Sequence, residues 1–307
     1  MKIWNDKRYY SLDYYLKQTY GEKVYKISLD GGMTCPNRDG KIGVGGCIFC
    51  SAGGSGDFAA PKTDSVTTQI DNAIAGISKS KSVGSKFIAY FQAFTNTYAP
   101  VDYLRKLFTE AIHHPNIVGL SIATRPDCLP DDVLKLLSEL NKIKPVWVEL
   151  GLQTTNEKSA DFIRRGYPLS VFDDAVMKLH NLGIQTIVHI IVGLPHETRE
   201  DILNSVMYVS KLPIQGIKLQ LLHVIKGTDL AKHLGEFHIL TMDEYIDLVI
   251  ACLEILPDHI VVHRITGDGP KDLLLAPDWS CKKREVMNRI NQELARRNTW
   301  QGRLNPM

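Results

Sequence analysis

The sequence predicts an α/β protein, a partial (β/α)6 barrel of TIM type followed by a C-terminal α/β extension. Short apolar runs of strand length alternate with stretches of helical spacing. The runs begin roughly thirty to forty residues apart, the length of one strand, one helix and two loops, which implies a parallel sheet with right-handed crossovers. The residues just after each run are unusually polar, as expected where strand ends carry chemistry. A complete eight-unit barrel needs about 250 residues, whereas the six runs span about 200, so the barrel is expected to be partial.

In chain order, a polar-aromatic lead-in from Tyr9 to Gly21 is expected to be helical, and Val24 to Ser28 alternates as a first strand before the turn at Asp30-Gly31-Gly32. Thr67 to Ile77 has helical spacing at Ile70, Ala73, Ile74 and Ile77. The unit then recurs. Strands are expected at Phe87 to Gln92, Val118 to Ala123, Val146 to Leu150, Thr186 to Val192 and Ile217 to Leu222. Helices are expected at Val101 to His113, Asp131 to Leu140, Asn156 to Ile163, Val171 to Leu182 and Arg199 to Leu212. Beyond Ile225, Thr241 to Leu256 reads as a helix, His259 to Ile265 as a strand and Lys282 to Arg297 as a basic helix. The domain reading is a lead-in over 1–22, a core over 23–225 and an extension over 226–307.

Three of the six cysteines, Cys35, Cys47 and Cys50, share one glycine-rich loop directly after the first strand. Structural zinc takes four ligands and would need a remote fourth here. A cubane iron-sulfur cluster held by three thiolates keeps one iron open for another ligand. A zinc knuckle and a thioredoxin-like Cys-Ile-Phe-Cys pair remain the alternatives.

The loop, with Phe49 just before the last cysteine, resembles that of the radical S-adenosylmethionine (SAM) superfamily. Its eleven-residue gap between the first two cysteines, where three is commonest, is similar to the subgroup around the Elongator-type and YhcC/YtqA-type (MnmL-like) proteins. So is Thr124-Arg-Pro-Asp127, while the turn Gly193-Leu-Pro-His-Glu-Thr198 resembles that of the superfamily at large, and the segments Val262 to Pro270 and Ala276 to Trp279 resemble the YhcC/YtqA-type group specifically. The resemblance implies a six-unit open barrel, a 4Fe-4S cluster on Cys35, Cys47 and Cys50 as the catalytic centre, and S-adenosyl-L-methionine as the cofactor. It further implies cleavage of that cofactor to a 5'-deoxyadenosyl radical.

The strand ends supply candidate cofactor contacts. After the second strand, Gln92, Asn96 and Thr97 stand where the family carries a glycine-glutamate motif for the methionyl amine; that motif is absent, and a local turn using Asn96 is the alternative. Arg125 is placed to hold a carboxylate, or to pair with Asp127. Glu149 interrupts an apolar strand and needs a partner: the family role is the ribose hydroxyls, with Gln153 beside it, and the alternative is a pair with Arg125 inside the barrel. The turn at Gly193 and Leu194 implies backbone contact with the adenine. Tyr167 replaces a histidine of the relatives. His189 reads as a hydrogen-bonded barrel residue or a proton shuttle, and His263, Arg264 and Asp268 as the border of the substrate opening.

The net charge of +2 is unevenly placed: both ends are basic, and six tyrosines crowd the first. Lys282, Arg289, Arg296 and Arg297 are expected to contact RNA phosphates, against the alternative of a solvated helix face. The opening residues lack an apolar signal segment and no run approaches a membrane span, so a cytoplasmic enzyme with reduced thiols is expected. The family connection implies a transfer RNA partner, a reductant such as flavodoxin or ferredoxin, and modification of the wobble uridine: carboxymethylaminomethyluridine to aminomethyluridine, on the way to methylaminomethyl-2-thiouridine. A radical enzyme acting on a small metabolite, tetrapyrrole or protein, and a non-catalytic iron-sulfur RNA-binding module, are the rivals.

Overall fold

A computed structural model describes residues 2–54, 56, 64–79, 84–267 and 269–305; Asp268 lies outside them. The elements run α1 (Leu12–Tyr20), β1 (Tyr25–Leu29), α2 (Val66–Ser78), β2 (Phe87–Phe91), α3 (Val101–His113), β3 (Ile117–Thr124), α4 (Asp131–Asn141) and β4 (Val146–Gln153). They continue with α5 (Glu157–Phe162), α6 (Leu169–Asn181), β5 (Gln185–Val192), α7 (Arg199–Ser210), β6 (Gly216–Leu221) and β7 (Val224–Ile225). The chain ends with α8 (Met242–Ile255), β8 (Val261–Arg264), β9 (Leu274–Ala276) and α9 (Lys283–Arg296).

Seven strands form one curled parallel sheet in the order β1-β2-β3-β4-β5-β6-β8, a partial barrel. The sheet exceeds the expected six strands because β8, from the segment read as an extension, pairs with β6. Helices α8 and α9 likewise join the main core, through Tyr245, Val249, Ile290 and Leu294. The antiparallel ribbon of β7 and β9 is too short to carry a sequence signal. Polar side chains start several helices: Ser11, Ser65 and Asn156 each accept from a first-turn N–H, and Thr198 and Thr241 form capping boxes.

The two ends of the barrel differ. At the N-terminal end, Leu16 of α1 packs with Val24, Ile88, Trp147 and Ile187 and plugs the lumen. The lead-in then runs along the outer edge of β8, where Ser11 bridges Val262 and the Val262 N–H donates to the Tyr10 carbonyl at 2.8 Å. None of the six tyrosines of this region is exposed, so their rings serve packing. Among the described residues no helix is long and apolar enough to cross a membrane.

Candidate active site

At the C-terminal ends of the strands lies a cavity of about 720 Å³ whose wall includes Cys35, Cys47 and Cys50. The eleven residues between the first two cysteines form a compact excursion. Asp39 and Val44 pair as an antiparallel bridge, and the Gly46 N–H donates to the Asn37 carbonyl at 2.7 Å, which returns the chain toward Cys35. Gly46 has a φ of +87°, and a Cβ there would sit 2.9 Å from Arg38 Nε. Arg38 in turn donates to the carbonyls of Cys50, at 3.1 Å, and Ser51. Between the last two cysteines, Ile48 is sealed in a small apolar core with Ile191, Leu194 and Leu222, and Phe49 packs against it. Burial, with Cys50 and Cys35 nearby and Arg125 opposing them, pushes the Cys47 thiol up to about 12. Cys128 and Cys252 are buried elsewhere and Cys281 is exposed; none of the three lines the cavity.

Beneath the cysteines a layer of polar side chains points into the lumen. Glu149 is fully buried. Its Oε1 accepts from Lys26 Nζ and Ser121 Oγ, both at 2.6 Å. Its Oε2 accepts from Lys218 Nζ and from His189 Nε2, the latter at 2.7 Å. Burial opposes the charge on Glu149, but the two lysines and His189 hold its carboxyl well below the usual range. His189 Nδ1 faces Gln220 Nε2 at 3.3 Å, and burial followed by the charge of Lys218 pulls the imidazole down to about 4, so it is neutral. Burial also lowers Lys218, to about 7, with Lys26 and Arg264 working in the same direction and Glu149 against it.

Residues 37–209 match the Radical SAM superfamily, and residues 214–296 match the Radical_SAM C-terminal domain. The chain belongs to the radical SAM superfamily. It is 49% identical over 300 residues to uncharacterized protein YtqA of Bacillus subtilis (strain 168), covering 97% of this chain and 93% of the relative. Protein YhcC of Escherichia coli (strain K12) is 37% identical over 272 residues, 88% of this chain and 86% of its own. The solved structure of Methanocaldococcus infernus Elp3 with an N-terminal deletion shares the fold, at a TM-score of 0.69 and 16% identity over 91% of this chain and 64% of that one. More distantly, the tRNA uridine(34) acetyltransferase of Methanocaldococcus jannaschii is 25% identical over 163 residues, 52% of this chain but only 30% of that protein.

A radical SAM protein carries a 4Fe-4S cluster and S-adenosyl-L-methionine, and the cavity fits both. Its wall supplies three thiols from one loop and, opposite, a buried acceptor that the fold leaves unsatisfied: Gln153 Oε1. The β4–β5 register shifts between Gly151 and Gln153, and Gln153 has a φ of +73°. Such a bulge re-aims a side chain. A Cβ on Gly151 would lie 2.8 Å from Gln153 Nε2, so glycine clears the space that the amide occupies. Tyr167 donates its hydroxyl to the Gly151 carbonyl and lies under Arg125, 5.1 Å from the ring centre.

The other sequence candidates divide. Gln92 lines the cavity and accepts from Ser28 Oγ at 2.9 Å. Arg125 lines it too, but forks onto Asp127 at 2.9 and 2.8 Å and donates to the Arg165 carbonyl at 2.8 Å. Glu149 pairs with Lys26, Lys218 and His189 and not with Arg125, and its four donors fill the acceptor sites of a carboxylate. Asn96 and Thr97 are buried behind the wall, Asn96 Nδ2 donating to the Ala123 carbonyl at 2.9 Å and Thr97 bonded to Thr124 and Cys128. Gly193 and Leu194 are also off the wall, Leu194 being packed with Ile48. His263 packs edge-on against Trp147 near the plugged end, while Arg264 does line the cavity. Sequence reasoning missed Lys26 and Lys218. Lys218 interrupts Ile217 to Leu222 as Glu149 interrupts its own strand, so the rule that singled out one would have found the other.

On α9 the basic residues are engaged with carboxylates. Arg289 pairs with Asp243, Arg296 with Glu293 at 2.9 Å, Arg297 with Asp247 at 2.6 Å, and Lys282, just before the helix, with Glu285 at 3.8 Å. The two basic ends of the chain meet. The Gln301 N–H donates to the Arg8 carbonyl at 2.9 Å, and Gln301 Oε1 accepts from the Tyr10 N–H at 2.8 Å.

Proposed function

We propose that this radical SAM enzyme modifies the C5 substituent of the wobble uridine of transfer RNA, converting carboxymethylaminomethyluridine to aminomethyluridine. The observation that carries the reading is a single lumen joining the cysteine loop to a polar inner layer, open at the strand ends and plugged at the other. Such a lumen suits a reactive group that projects from a larger substrate, as the arm of a base does. The kinship with a tRNA uridine(34) acetyltransferase supports a transfer RNA substrate, as does the union of two basic chain ends on one side.

When bound, the cluster and S-adenosylmethionine supply one-electron chemistry that ends in hydrogen abstraction, with a flavodoxin- or ferredoxin-like reductant as the source. Cys35, Cys47 and Cys50 would hold the cluster through three thiolates, which would leave one iron without a protein ligand. Thiols must lose their protons to bind iron, and at Cys47 the charge of Arg125 favours that loss. Gln92 and Gln153 offer polar contacts to the cofactor, with Arg125 beside them. Lys282, Arg289, Arg296 and Arg297 exchange exposed carboxylates for phosphates, at little cost because exposed ion pairs contribute only about 0–1 kcal/mol each. The test is a nucleoside profile of RNA from cells lacking the protein. Carboxymethylaminomethyl derivatives should accumulate at the expense of aminomethyl ones; an unchanged profile overturns the reading.

A further inference from the structure

The inner layer holds more positive than negative charge. Lys26, Lys218 and Arg264 face one carboxylate, Glu149, whose oxygens are already filled by the two lysines, Ser121 and His189. Arg264 is the direct register partner of Lys218 across β6 and β8. Like charges placed opposite each other on neighbouring strands destabilise a sheet. Arg264 lines the cavity, and its side chain makes no hydrogen bond or ion pair among the described residues. His189 beside it is neutral and offers no compensation. Among the described residues no carboxylate pairs with this cation, and a guanidinium on a cavity wall binds an anion strongly once water is excluded.

The layer is also distinct from the cysteine end. Arg125 acts on Cys47, Cys128 and Tyr167, whereas Arg264 acts on Lys26, Tyr90, His189 and Lys218. Arg38, Arg125, Arg165 and Lys271 also line the cavity, but of the five cations only Arg264 neighbours the lysine layer in the sheet, as the register partner of Lys218.

We infer that Arg264 anchors an anion subsite on the cavity floor, which takes the carboxylate at the tip of the substrate's arm. The identity of the arm rests on the function proposed above; the anion subsite does not. A guanidinium meets a carboxylate through two parallel N–H donors, which fixes the arm's direction as well as its charge.

Two measurements test the inference separately from the tRNA reading. In the first, Arg264 of the cluster-loaded wild-type protein is modified with a dicarbonyl reagent and the adduct is quantified by peptide mass spectrometry. N-acetylglycine should slow the modification several-fold at constant ionic strength and N-acetylglycinamide should not; equal behaviour of the two overturns the subsite whatever the substrate is. In the second, the affinity of Arg264→Gln is measured for tRNA bearing carboxymethylaminomethyluridine and for tRNA bearing aminomethyluridine. The variant should lose roughly ten- to hundredfold for the first, as for a charged hydrogen bond, and little for the second. Equal losses would assign Arg264 to the backbone phosphates, and a loss confined to S-adenosylmethionine would assign it to the cofactor; either overturns the inference. Carboxylate protection without any conversion of the first tRNA would leave the subsite standing and remove the proposed substrate.

Discussion

Glu149 is the residue on which the inner layer turns. It is fully buried, and two lysines, a histidine and a serine converge on it. Glu149→Gln removes the charge but not the volume and leaves Lys26 and Lys218 facing each other. Breaking a buried pair in this way costs about 3–5 kcal/mol. Urea denaturation of the cluster-free protein should show that loss; a variant of normal stability that binds S-adenosylmethionine more weakly would instead place the carboxylate on the cofactor. Lys218 gives a pH signature with the opposite sign from a carboxylate. Its folded pKa, about 7, lies below the ordinary 10.5, so the unfolded chain holds the proton more tightly and stability rises as pH climbs from about 7. One proton is worth about 1.4 kcal/mol per pH unit. Between pH 7 and 9 the wild type should gain stability that Lys218→Met does not; parallel curves would show that Lys218 keeps its proton in the fold.

Among the elements, those with strong periodicity were legible. Val101–His113 stands as read, and the other helices and strands differ by a few residues at their ends. Those differences follow from caps and bulges: β4 runs past Leu150 to Gln153 through the irregularity at Gly151, which a count of apolar residues does not register. The cysteine loop was legible because its chemistry is local in sequence. Each of Cys35→Ala, Cys47→Ala and Cys50→Ala should abolish the iron content and visible absorbance gained on anaerobic reconstitution, while Cys128→Ala, Cys252→Ala and Cys281→Ala should retain them. Dependence on a scattered cysteine would break the three-thiolate assignment. For α9, the spacing that joins Lys282, Arg289 and Arg296 was visible in the sequence, but the acids that pair with them were only partly so. Glu285 and Glu293 are close in sequence, whereas Asp243 comes from α8. Reversing Lys282, Arg289 and Arg296 to Glu together should weaken tRNA binding and flatten its salt dependence, since each phosphate neutralised releases counterions. An unchanged salt slope at two salt concentrations would make the helix a solvated face.

At the scale of the whole molecule, the open barrel could be read from repeat spacing and length, but what closes it could not. The lead-in along β8 and the contact between the chain ends depend on partners more than 200 residues apart in sequence, and the plug draws Leu16 onto three separate strands; no local pattern reports either. Separation in sequence also hides the inner layer: Lys26, Glu149 and Lys218 come from three strands, and only register brings them together. Gln301 tests this long-range design. It is fully buried, accepts from the Tyr10 N–H, and donates to the carbonyls of Pro257 and Ile260 at 2.7 and 2.8 Å. Gln301→Ala strands those groups, at about 1–3 kcal/mol for a buried polar group left unmade. The melting temperature should fall while the cluster content holds, because the cysteine loop lies at the opposite, open end of the strands. If the two basic ends act as one RNA surface, tRNA affinity should fall as well, although no charge has been removed. Lower stability with full tRNA affinity in the folded fraction would mean that the ends bind RNA separately or not at all.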